Sequence, residues 1–137
     1  MTQRPLPRFP EPDSEAFWKA TRHQLLTYRR CRSCDASIFF VRAHCPRCGS
    51  FDLDDVVSKG SGTIYSCTVV RRDGQPGFKE RTPYVTALVD LDEGIRMLTE
   101  IVTGDVHAIR IGQRVELVWE QHDEAAIALF RPIDDPA

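Results

Sequence analysis

The 137-residue sequence has no apolar run near the roughly twenty residues needed to cross a bilayer, and its first ten residues hold no hydrophobic stretch of a secretion signal. A cytoplasmic location is therefore expected, where thiols stay reduced. The sequence also lacks the G-x-S-x-G, P-loop and dinucleotide motifs that announce common chemistries. Its four histidines, His23, His44, His107 and His122, are scattered, with no pair at metal-ligand or triad spacing. The acidic pairs Asp54-Asp55, Asp92-Glu93 and Asp123-Glu124 fall in stretches that read as turns or connections, where solvated charge is the ordinary explanation. These residues build no independent active site, so no activity is expected from the chain alone.

What is present is a soluble, globular composition, 42% hydrophobic and 28% charged, at the length of about one domain. Four of the five cysteines form two pairs, Cys31-Arg-Ser-Cys34 and Cys45-Pro-Arg-Cys48, separated by ten residues. Each pair sets two sulfurs on one tight turn, and two facing turns close a tetrahedral all-thiolate site with no open position. One structural zinc ion is expected there, with no metal-bound water for chemistry. Cys67 lies in the alternating stretch Thr63 to Val70 and reads as a buried, inert thiol.

The net charge of -2 hides an asymmetry. Residues 15–50 carry seven basic and two acidic side chains, residues 51–137 nine basic and sixteen acidic ones, so a basic ribbon precedes an acidic body. Arg29, Arg30, Arg32, Arg42 and Arg47 either balance the charge of four thiolates and a zinc ion, or face the phosphates of a ligand or an acidic partner. The sequence leaves these open.

Taken in order, residues 1–12 hold four prolines and read as an extended arm. Asp13-Ser14-Glu15 predicts a helix start, with Phe17 and Trp18 side by side. Adjacent helical residues point about 100° apart, so one of these rings packs on the protein and the other is free for a partner or ligand. Residues 24–30 and 38–42 read as two strands of a zinc ribbon, whose metal substitutes for a core that so short a segment cannot assemble. Residues 51–58 read as a polar connection. Five strands then follow, over 63–71, 84–92, 95–102, 113–121 and 125–130, with a short helical turn at 105–110. That layout is the one of an OB-fold barrel, and other small barrels read similarly. The predicted divisions are an arm and helix over 1–23, the ribbon over 24–50 and the barrel over 60–133.

The loop Arg71 to Thr82 joins two strands by about a dozen residues where hairpins use roughly two to five. It sets Phe78 beside Arg71, Arg72, Lys79 and Arg81, a combination suited to a nucleotide ring and its phosphates. Single-stranded nucleic acid is the rival ligand of such a fold. The candidate face carries Asp90, Asp92, Glu93 and Glu100 with few aromatics beyond Tyr84, which disfavours a phosphate chain.

The order of these features resembles one family, the zinc-ribbon plus OB-fold proteins of acyl-CoA metabolism, long catalogued as a domain of unknown function. The matching pieces are Phe17-Trp18, the ribbon from Cys31 to Ser50, Gly60-x-Gly62-Thr63-Ile64-Tyr65-Ser66, Pro76-Gly77-Phe78, Pro83-Tyr84-Val85, Leu88 to Gly94, Ile111 to Val115 and Phe130-Arg131-Pro132. The family usually has Gly where this chain has Asp35, and Pro-Pro-Arg where it has Phe40-Val41-Arg42; Asp tolerates the left-handed backbone that a Gly would take there. The resemblance implies a mainly β protein with an N-terminal helix, a rubredoxin-like ribbon and a five-stranded barrel. It implies an accessory subunit that docks on a thiolase-fold or lipid-transfer-protein-like aldolase, or on a hot-dog-fold enoyl-CoA hydratase, in a heterotetramer or larger complex. The subunit would help bind or pass an acyl-CoA thioester, lipid or steroid. Phe17, Trp18, Tyr65, Arg71, Arg72, Phe78, Lys79, Arg81 and Tyr84 are the candidate contacts, and zinc and acyl-CoA the expected cofactor and ligand.

Overall fold

Proline at position 12 sets the start of helix α1, since its fixed φ suits a first helical turn and it brings no amide to leave unpaired. In the computed structural model, which describes residues 4–8 and 11–133, α1 spans Pro12–Thr21, one residue ahead of the expected Asp13 start. Of the expected proline arm, residues 1–3 and 9–10 lie outside the described residues. Asp13 and Glu15 in the first turn and Lys19 in the last suit the helix dipole. Thr21 is buried and its Oγ1 donates to the Trp18 carbonyl (2.6 Å) while accepting from the Ala126 amide (3.2 Å), which ties the helix to the barrel.

The ribbon is a three-stranded antiparallel sheet, β1 (Thr27–Cys31), β2 (Ser37–Ile38) and β3 (Leu53–Val57), in the order β2-β1-β3. Two sequence expectations change here. The partner strand predicted over 38–42 shrinks to Ser37–Ile38, because Phe39 and Val41 leave the sheet to pack against the main core. The predicted polar connection over 51–58 is in fact strand β3, paired with β1 along its whole length. Two of its five cross-strand pairs are charged, Arg29 opposite Asp55 and Arg30 opposite Asp54, and no residue of β3 is fully buried. A strand held by ion pairs shows no apolar alternation to read.

The barrel follows as β4 (Ser61–Val70), β5 (Tyr84–Leu91), β6 (Arg96–Ile101), β7 (Arg114–Gln121) and β8 (Ala126–Pro132), closed in the order β4-β5-β6-β8-β7. All five strands predicted from the sequence are found within a few residues. β5 alternates strictly, with Val85, Ala87, Val89 and Leu91 turned into the core, where they meet Ile64, Met97, Ile101, Val115 and Phe130. The predicted helical turn is the 3-10 segment Val106–Ala108, capped by the Asp105 carboxylate accepting from the His107 amide (3.0 Å).

Ribbon and barrel are coupled at the linker. Glu93, in the β5–β6 turn, accepts from Ser58 Oγ (2.9 Å) and the Lys59 amide (2.6 Å), and the Gly60 amide donates to Ser58 Oγ (3.0 Å). Gly60 has φ +77°, and a Cβ there would lie 2.6 Å from Leu117 Cβ, so only glycine permits this close passage.

Candidate functional site

The two cysteine turns are built alike. The Asp35 amide donates to the Cys31 carbonyl and the Gly49 amide to the Cys45 carbonyl, both at 2.9 Å, and the residue closing each turn is left-handed: Asp35 at φ 63° and Gly49 at φ 79°. Asp35 thus takes the conformation expected of it. The four sulfurs lie within 4.8 Å of one another, with Cys31 to Cys48 at 3.5 Å and Cys34 to Cys45 at 3.6 Å. Cys31 and Cys45 are buried, Cys34 is half-buried and Cys48 exposed.

The electrostatics of this cluster fit a metal. Burial disfavours ionisation of Cys31, but the amides of Cys34 and Ser33 and the neighbouring thiols reverse it and hold Cys31 at about 6. Cys34 receives help from the Ala36 amide, yet burial and its sulfur neighbours push it up to about 12. Cys45 follows Cys31 downward and Cys48 follows Cys34 upward. Four such sulfurs cannot all ionise together without a cation between them, and a tetrahedral dication that prefers thiolates meets that need. Among the described residues this is the one group of side chains with metal-holding geometry.

The basic ribbon is less basic than its sequence window suggests. Arg29 pairs with Asp55 (2.9 Å), Arg32 with Asp54 (2.8 Å from Nε) and Arg30 with Asp35 (3.8 Å). With β3 included, residues 15–58 carry seven basic and five acidic side chains.

The structure separates the candidate contacts into groups. Phe17 is 7% exposed and belongs to the core, with Trp18 edge-on to it at 4.9 Å and half-buried. Tyr65 is half exposed, on the barrel's outside, with the Arg96 guanidinium 3.4 Å from its ring centre. In the long loop, Arg71, Arg72 and Lys79 line an open cleft of about 490 Å³ together with Asp73, Gly74 and Thr82. Asp73 is held there by the Gln75 amide (2.9 Å) and by the Tyr84 hydroxyl (2.8 Å), which keep its carboxylate below the usual range. Burial, then the hydrogen bond to Asp73, pushes Tyr84 up to about 12. Phe78 lies 6.1 Å from Tyr84.

Arg81 turns away from the cleft. It bridges Glu100 (3.0 Å) and Glu120 (3.3 Å), and Arg4 of the N-terminal arm bridges the same two carboxylates at 2.9 and 2.7 Å while lying over the Phe78 ring. His122 adds a contact to Glu120 at 2.9 Å. Burial opposes ionisation of Glu120, but hydrogen bonds from Arg4 and His122 and the charges of Arg4 and Arg81 overcome it and hold the carboxyl at about 2. Sequence reasoning missed this cluster. Arg4 lies 96 and 116 positions from its partners, and no local pattern connects them.

A four-cysteine ribbon set ahead of a closed five-stranded barrel defines a zinc-ribbon and OB-fold protein. Comparison with known proteins agrees module by module: the rubredoxin-like zinc ribbon domain of ChsH2 matches residues 18–54 and the ChsH2 C-terminal OB-fold domain residues 55–120. The chain belongs to the DUF35 family, to which ChsH2 gives its two domain descriptions. It superposes on a chain of the solved Ltp2-ChsH2(DUF35) aldolase with a TM-score of 0.82 and 35% identity, covering 92% of this chain and 98% of that one. A DUF35 domain-containing scaffold protein of Methanothermobacter thermautotrophicus is 36% identical over 97 residues, 70% of this chain and 72% of its own. The probable enoyl-CoA hydratase alpha subunit of Thermomonospora curvata is 40% identical over 119 residues, 85% of this chain but 37% of that protein, so this chain spans little more than a third of that relative. The benzoylsuccinyl-CoA thiolase subunit BbsA of Geobacter metallireducens is 33% identical over 88 residues, 64% of this chain and 57% of its own.

Proposed function

We infer that this chain is a non-catalytic accessory subunit of an acyl-CoA enzyme, docking on a thiolase-fold partner that makes or breaks the carbon-carbon bond. The observation that carries this reading is the near end-to-end match with the DUF35 chain of a two-component aldolase. The thiolase subunit of Geobacter metallireducens supports the same partner class. In this reading Cys31, Cys34, Cys45 and Cys48 hold one structural Zn²⁺, which fixes the ribbon and supplies no chemistry. The cleft of Arg71, Arg72 and Lys79 faces the phosphates of the coenzyme A thioester, with Asp73 and Tyr84 bracing the loop that carries them. Arg81 does not reach that ligand, since it is engaged with Glu100 and Glu120. Barrel and loop together cover the thioester and keep water from it.

Co-expression with a thiolase-fold enzyme encoded beside this chain should yield one complex that co-elutes on size exclusion and contains zinc. Two proteins eluting separately would refute the docking. The similarity to a hydratase alpha subunit favours a second partner, a hot-dog-fold enoyl-CoA hydratase, with the same accessory role; the same co-elution experiment with that enzyme decides between them.

A further inference from the structure

The loop between β2 and the second cysteine turn is aromatic and held at both ends. Phe17 in the core meets Phe39 edge-on at 5.8 Å, and Phe39 stacks on Phe40 at 4.6 Å, so a ladder of rings runs from the interior to the surface. The outer ring, Phe40, is 62% exposed. Arg29, itself paired with Asp55, donates from Nη1 to the Arg42 carbonyl at 2.6 Å and fixes the other end of the loop. Phe40 is thus presented on a braced segment, with little conformational freedom left to lose on burial. Just beyond the second cysteine turn Phe51 is also exposed (78%), its ring 5.9 Å from His44 of the loop.

The sequence that carries Phe40 has charge of one sign. Residues 36–51 contain no acidic side chain, and Arg42 and Arg47 have no ion pair among the described residues. Nor does the zinc site absorb them: no arginine side chain hydrogen-bonds a sulfur among the described residues, and Arg47 reaches Cys45 Sγ through its backbone amide, at 3.4 Å. The other ribbon arginines, Arg29, Arg30 and Arg32, are matched by Asp55, Asp35 and Asp54. An exposed, pre-positioned aromatic with an unpaired basic rim has the composition of a protein-interface anchor.

We propose that Phe40, flanked by Arg42 and Arg47, is the anchor by which this chain docks on its partner enzyme, entering an apolar pocket rimmed by carboxylates. The proposal rests on the accessory-subunit reading and adds to it which surface docks and what chemistry receives it. A phosphate chain is the weaker match, because it would use the arginines and leave the apolar ladder without a role, and the barrel behind is acidic.

The test is affinity for the thiolase-fold enzyme that co-elutes with this chain, measured for the whole 137-residue chain with zinc content and circular dichroism followed for each variant. Phe40→Ser is expected to weaken the complex by about tenfold or more. Arg42→Glu, at an exposed position, is expected to weaken it similarly and to lessen its salt dependence. Leu98→Ser, an exposed residue on the barrel, should stay within about twofold of the wild type. A Phe40→Ser or Arg42→Glu protein with native zinc content and wild-type affinity overturns the docking surface and leaves the accessory role standing. Variants that lose only binding to a single-stranded oligonucleotide overturn it too. A wild-type chain that binds neither a thiolase-fold enzyme nor a hydratase overturns both readings.

Discussion

Four sulfurs within 4.8 Å of one another repel as thiolates and cannot stay ionised together without a cation, which is why the opposing shifts of Cys31 and Cys34 speak for a metal rather than for reactive thiols. Their burial follows the same logic: Cys31 and Cys45 form a small second core with Ile38, too small to hold the two cysteine turns by apolar contact alone. Metal binding of about 10–16 kcal/mol in such sites is then the folding free energy of the ribbon. Cys31→Ser or Cys48→Ser should reduce zinc from one per chain to none and unfold residues 24–57, seen as lost amide protection there while the barrel keeps its own. A variant that keeps both its zinc and its ribbon protection would contradict this.

Strand β3 and the arm show where reading stopped short. The barrel strands were legible because each alternates between a core and a solvent face, most clearly in β5, and the zinc ligands because their spacing is itself the geometry. β3 was not, since Asp54 and Asp55 pair with Arg32 and Arg29 instead of burying apolar side chains. The cluster of Arg4, Arg81, Glu100 and Glu120 was equally hidden, because it joins an arm, a loop and two strands that only the closed barrel brings together. It gives the arm a definite task, which is to pin the long loop at its Arg81 end. Glu120 is ionised in the folded state down to about 2, against an ordinary value of 4.5, so its contribution is complete above pH 4.5 and disappears as the pH falls toward 2. Arg4→Met should therefore cost roughly 1–2 kcal/mol at neutral pH, less than a fully buried pair because Glu120 keeps 24% of its side chain in solvent. Urea unfolding at pH 7 and at about pH 3 checks the sign: the gap between variant and wild type should narrow at the lower pH. A gap that is constant or widens on acidification would remove Glu120 from this role.

For the molecule as a whole, ribbon and barrel act as one frame, joined by Glu93 at the linker and by α1, whose Thr21 reaches β8. This frame carries two surfaces of different chemistry: a basic cleft on the barrel loop and an aromatic pair, its outer ring exposed, on the ribbon. In the function proposed above, the first positions a ligand, the second a partner, and bond making is left to the partner. The most direct test is turnover of an acyl-CoA substrate by the thiolase-fold enzyme alone, by this chain alone and by the two together. The account predicts no turnover by this chain, little or none by the isolated enzyme, and full activity only in the zinc-loaded complex. Turnover by this chain alone, or partner activity unchanged by its presence, would contradict it.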